Sequence, residues 1–82
     1  MKQFDLLAVN YAYQNTFRWG GLDWKLKHSD LEAIRDLIDP DSAEKTGMRV
    51  WAWHHERTNK KMITTKTNTE IGEQFLEYLY GF

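Results

Sequence analysis

The chain has 82 residues, 41% hydrophobic, 15% aromatic and 28% charged, with no cysteine and a formal net charge of −1. That length suits one domain, residues 1–82, and a domain so small buries only about 60% of the surface its unfolded chain exposes. The missing thiols exclude a disulfide framework, a thiolate zinc site and a cysteine nucleophile, and the aromatic-rich composition excludes a disordered chain.

The opening segment, MKQFDLLAVNYAY, breaks its apolar run with Asp5 and Asn10 and shows no cleavage-site pattern, so no signal peptide is expected. No run approaches the roughly 20 apolar residues of a membrane span. The expectation is a soluble cytoplasmic protein. Residues 3–13, QFDLLAVNYAY, read as a strand apolar on both faces, with a helix through Phe4, Leu7 and Tyr11 as the competing assignment; the Val and Tyr content favours strand. Gly20-Gly21 marks a turn. LDWKLK, residues 22–27, alternates Leu22, Trp24 and Leu26 with Asp23, Lys25 and Lys27, the pattern of a half-buried strand.

Ser29 followed by Glu32 has the spacing of a capping box, and the helix it opens runs to about Asp39, before Pro40. Leu31, Ile34, Leu37 and Ile38 form its apolar stripe. DPDSAEKTG reads as a polar connection whose one helical turn would stop at Gly47. From Met48 the pattern reads as extended, with a hairpin turn at RTNK that sets Glu56 across from Lys61. Thr67 with Glu70, or Asn68 alone, caps a second helix lined by Ile71, Phe75, Leu79 and Phe82, widened by Leu76, Tyr78 and Tyr80 and ended by Gly81. The order ββαββα implies an α+β fold: an antiparallel four-stranded sheet with two helices on one face and the other face open. Superposing Ser29 on Thr67 suggests a repeated strand–strand–helix unit.

Charge is unevenly distributed. Residues 1–44 sum to −3, residues 45–66 to +5 and residues 67–82 to −3. The basic island contains VWAWHHERTNKKMITTKT, residues 50–67. On a hairpin, one face would carry Arg49, Trp51, Trp53, His55 and Arg57, with Lys60, Met62, Thr64 and Lys66 opposite. Two readings compete for it. Two indoles ringed by bases can stack on nucleobases or anchor a protein interface. In the plainer alternative Trp51, Trp53 and Met62 are core, since a small domain needs large buried residues. We read the indoles as inward and Arg57, Lys60 and Lys61, at the hairpin tip, as outward.

Chemistry is not visible in the sequence. His54 and His55 diverge on a strand, His28 lies in another element, and no metal-ligand spacing occurs, so no metal site is expected. Ser29 is explained as a cap and Glu70 by its favourable place at a helix N-terminus; no phosphate loop is present, and neither a catalytic residue nor a cofactor is assigned. The expected function is a small non-enzymatic protein that acts by contact with another protein. In size and compactness it is similar in type to small phage-encoded proteins that modulate or inhibit a host protein in the host cytoplasm, a likeness that covers no motif. Partner-binding candidates are Arg49, Trp51, Trp53, His55, Arg57, Lys60, Lys61 and Lys66. Two acidic groups, Asp36, Asp39 and Asp41 in one and Glu70, Glu73 and Glu77 in the other, suit a basic partner surface or are simply solvated. The alternative function is nucleic-acid binding through the basic aromatic hairpin 48–66, which predicts strong salt dependence. Homodimerisation through a sheet edge or the open sheet face is compatible with either.

Overall fold

In the computed structural model, which describes residues 6–19, 26–57 and 62–81, the buried positions of the N-terminal segment are Val9, Ala12, Tyr13, Thr16 and Phe17. They recur at i, i+3, i+4, i+7 and i+8, one face of a helix. Helix α1 therefore spans Leu6–Thr16, where a strand was expected. The stripe is easily missed because two members are Ala and Thr, while Leu7 (80% exposed) and Tyr11 (56%) face solvent. Thr16 donates its hydroxyl to the Ala12 carbonyl at 2.6 Å, so its burial leaves no unsatisfied donor.

Helix α2, His28–Leu37, forms where the sequence placed it, with Ile34 buried and Leu31, Leu37 and Ile38 packed against the core. Its start differs in detail. Lys27 is the N-cap, and the Asp30 carboxylate, rather than Glu32, accepts from the Lys27 backbone N–H at 3.1 Å. Glu32 instead meets His28 at 3.1 Å on the exposed face.

The largest correction is helix α3, Ala43–Arg57, which replaces the expected strand from Met48. Ser42 caps it, accepting from the Lys45 N–H at 3.2 Å. Gly47 does not stop the helix; it lies buried in its interior. The reason is helix α4, Asn68–Tyr80. A β-carbon on Gly47 would fall 1.6 Å from the Asn68 carbonyl oxygen, and one on Gly72 would fall 1.7 Å from the Ala43 carbonyl oxygen. Position 47 thus meets 68 and position 43 meets 72, so α3 and α4 run antiparallel with their backbones in contact. Glycine costs about 1 kcal/mol relative to alanine in a helix interior, and here that cost is offset by an approach no side chain permits.

Helix α4 agrees with the sequence reading. Thr67 Oγ1 accepts from the Glu70 N–H at 3.2 Å, Glu70 Oε1 accepts from the Thr67 N–H at 3.3 Å, and Gly81 closes the helix at φ 74°. Ile71, Phe75, Leu76 and Leu79 are buried.

The described residues therefore form an all-α domain of four helices, and the expected four-stranded α+β sheet is absent among them. The only extended pairing among the described residues is a two-residue antiparallel ladder, β1 (Arg18–Trp19) with β2 (Met62–Ile63), in register Arg18 to Ile63 and Trp19 to Met62. With no sheet of that size among the described residues, the open sheet face and the repeated strand–strand–helix unit lose their basis. The turns expected at Gly20-Gly21 and RTNK fall wholly or mainly outside the described residues, as does most of the strand at 22–27. Helix α4 packs against α3 and α1, and α2 closes the domain against α1 and α3. The radius of gyration, 11.7 Å, is the value of about 12 Å expected for a compact chain of this length.

Candidate functional site

Residues 50–57 of the aromatic and basic stretch are wound into the last two turns of α3, and the helix spreads them around the axis. Consecutive residues turn by about 100°, so His54 is 2% exposed while His55 is exposed. The His54 ring lies parallel to Phe17, the residue that follows α1, with centroids 3.9 Å apart and planes 6° apart. Trp51 stacks on the same pair, 5.8 Å from Phe17 and 5.6 Å from His54. Trp53 meets the edge of Tyr13 at 5.7 Å. Both indoles are half-buried and packed against the core, so the platform of two tryptophans ringed by bases does not form.

The polar atoms here serve the interior. Tyr13 and His54 are joined by a 2.7 Å hydrogen bond between the phenol and Nδ1. Burial, with the charges of His55 and Arg57 adding to it, pushes His54 down to about 4 from its ordinary 6.5. The imidazole is accordingly neutral at pH 7, with its Nδ1 paired to the phenol oxygen. Burial likewise raises the Tyr13 phenol, against the opposing effect of Arg57. Arg57 turns inward: both its Nε and a terminal nitrogen donate to the Asp30 carboxylate, the first at 3.1 Å, and its guanidinium lies 5.1 Å above the Trp53 ring. This ion pair ties the end of α3 to the first turn of α2. It also corrects the expectation that Arg57 projects from a hairpin tip.

The remaining candidates are dispersed. Arg49 and His55 are exposed on α3, with the Trp51 and His55 rings 4.2 Å apart. Lys66 is half-buried before α4, and Lys60 and Lys61 lie outside the described residues. No single face gathers all of the described members. Among the described residues, no group of three or more His, Asp or Glu side chains is arranged to hold a metal ion.

A second region forms at the opposite end of α3. Asp39, Pro40, Asp41 and Ser42 make the turn from α2, and Thr46 holds it in place. This fully buried hydroxyl accepts from the Asp39 N–H at 2.7 Å and donates to the Asp39 carbonyl at 2.9 Å, satisfying both backbone groups at once. The Asp39 carboxylate accepts from the Asp41 N–H at 3.0 Å, and the Ser42 N–H donates to the Asp39 carbonyl at 3.1 Å. Beside this turn lies a groove of about 420 Å³, lined by Pro40, Asp41 and Ala43 on one side and by Glu73, Leu76 and Glu77 of α4 on the other. The contact between Gly72 and the Ala43 backbone sets its width, since Ala43 belongs to both. The carboxylates of Asp41, Glu73 and Glu77 are exposed and make no ion pair or hydrogen bond with the described residues.

Sequence reasoning named Asp41, Glu73 and Glu77 only as members of two separate acidic groups. Their meeting depends on the α3–α4 approach through glycine, which the strand assignment hid. No known family, curated protein or solved structure matches the chain. Among the described residues, no helix is long and apolar enough to cross a membrane.

Proposed function

We propose that this chain is a non-enzymatic binding protein that acts in the cytoplasm by contact with another protein, and that the contact is made at the groove between the α2–α3 turn and α4. The observation that carries the reading is the groove itself. Apolar Pro40, Ala43 and Leu76 line it beside three carboxylates that make no ion pair with the described residues. A recognition surface combines these features: apolar area gives affinity and rim charges select the partner. The nearest alternative for catalysis, the Tyr13–His54 pair, is enclosed in the core, where substrate has no access. A likeness in type to phage-encoded modulators of host proteins fits this reading, as does a chain without cysteine in a reducing compartment.

The test is capture from a lysate of the source cell, with and without nuclease, with the wild type compared against Glu73→Lys/Glu77→Lys. The expected result is a protein retained by the wild type and lost by the charge-reversed variant, whose thermal unfolding is unchanged. Retention that ignores the reversal, or that disappears with nuclease alone, would contradict the proposal.

A further inference from the structure

We infer that the occupant of the groove is a basic side chain, arginine foremost, carried on an extended or loop segment of the partner protein. This inference rests on the proposed protein-binding function and adds its chemistry. Glu73 and Glu77 stand at i and i+4 on α4, so they occupy neighbouring positions one turn apart. Like charges at that spacing repel, and no cation among the described residues relieves them. Asp41 brings a third negative charge from the opposite wall. The bases of α3 are otherwise arranged: Lys45 and Arg49 form no ion pair with these carboxylates, and Arg57 is committed to Asp30.

Charge alone would be met by any counterion. The apolar residues make the site selective for a cation on a hydrocarbon stem. Arginine and lysine lay their methylenes along apolar surface and keep the charged head at the polar rim, which here means a stem along Pro40, Ala43 and Leu76. Arginine is favoured over lysine because carboxylates approach from two walls. A planar guanidinium donates in several directions at once, whereas an ammonium is a compact, strongly hydrated point charge. An acidic segment or a nucleic-acid backbone would be repelled from the same rim.

The probe is the peptide acetyl-Gly-Leu-Arg-Leu-Gly-amide, titrated into the full chain at low salt and followed by amide chemical shifts. The expected result is perturbation centred on Ala43, Leu76 and Glu77, and an affinity weaker by about two- to fivefold in Glu73→Gln/Glu77→Gln. The same peptide with citrulline, which keeps the shape and removes the charge, should bind the wild type about two- to fivefold more weakly than the arginine peptide. Equal binding of the citrulline peptide, or shifts centred elsewhere, would overturn the inference. So would a self-dimer in sedimentation that Glu73→Gln/Glu77→Gln dissociates, since a second copy would then fill the groove. If the arginine peptide fails while the lysate partner is still lost on charge reversal, the protein-binding function stands and only the arginine occupant falls. If both fail, both fall.

Discussion

The two ends of α3 invert the impression their residues give in the sequence. The C-terminal end, with two tryptophans, two histidines and an arginine, is rich in functional side chains, and nearly all of them are engaged within the fold. His54 is stacked on Phe17 and bonded to Tyr13, Arg57 is held by Asp30, and both indoles pack against the core. The N-terminal end, Ala43 to Gly47, looks like a polar connection, yet its approach to α4 leaves an apolar groove bordered by the carboxylates of Asp41, Glu73 and Glu77, unpaired among the described residues. A side chain is available for a partner only to the extent that the fold leaves it unengaged, whatever its intrinsic chemistry.

Four perturbations sharpen that comparison, and the largest effect is expected where backbones touch. Gly72→Ala and Gly47→Ala each place a methyl within 2 Å of a carbonyl oxygen. Despite a helix-propensity gain of about 1 kcal/mol, each should destabilise by at least about 3 kcal/mol in urea unfolding. A neutral outcome would show that α3 and α4 are not in backbone contact.

At the other end of α3, acid is the probe. Because His54 is held near 4 when folded against an ordinary 6.5, the unfolded chain binds the extra proton between those values. The stabilisation is complete above about pH 6.5 and is lost as pH falls toward 4, at up to about 1.4 kcal/mol per unit and about 3 kcal/mol in all. Comparing unfolding curves from pH 7 to 4 for the wild type and His54→Phe should show this slope only in the wild type.

Thr46→Val keeps the shape but leaves the Asp39 N–H without its acceptor, while the Asp39 carbonyl keeps the Ser42 N–H. The expected cost is about 2 kcal/mol, with loosening of the turn seen as faster amide exchange at Asp39. The smallest effect on stability belongs to Glu73→Gln/Glu77→Gln, which should stay within about 0.5 kcal/mol of the wild type because those carboxylates hold nothing together. A marked loss of stability in calorimetry would mean that they are structural.

Where the sequence was legible, large apolar residues and cap chemistry coincided. α4 shows this best, with Thr67, Glu70, Ile71, Phe75, Leu79 and Gly81 all in the expected roles. α2 followed its apolar stripe, with the cap shifted by two residues to Lys27. α1 and α3 were misread because their buried faces are built from small or polar residues: Ala12 and Thr16 in one, Thr46, Gly47 and His54 in the other. Hydropathy periodicity gives such faces little weight, while exposed Leu7, Tyr11 and Met48 mislead it. Gly47 reads as a terminator until its neighbour is known. The acidic groove was legible only as two unconnected groups, because the approach of α3 to α4 that joins them is a tertiary fact.

The central claim is that the groove, rather than the aromatic end of α3, meets the partner. Photo-crosslinking in the source cell tests it most directly, with benzoylphenylalanine placed at Glu77 in one variant and at exposed His55 in another. A discrete protein adduct from position 77 and none from position 55 is the predicted result. An adduct from position 55 alone would contradict the account and return function to the tryptophan-rich end of the helix.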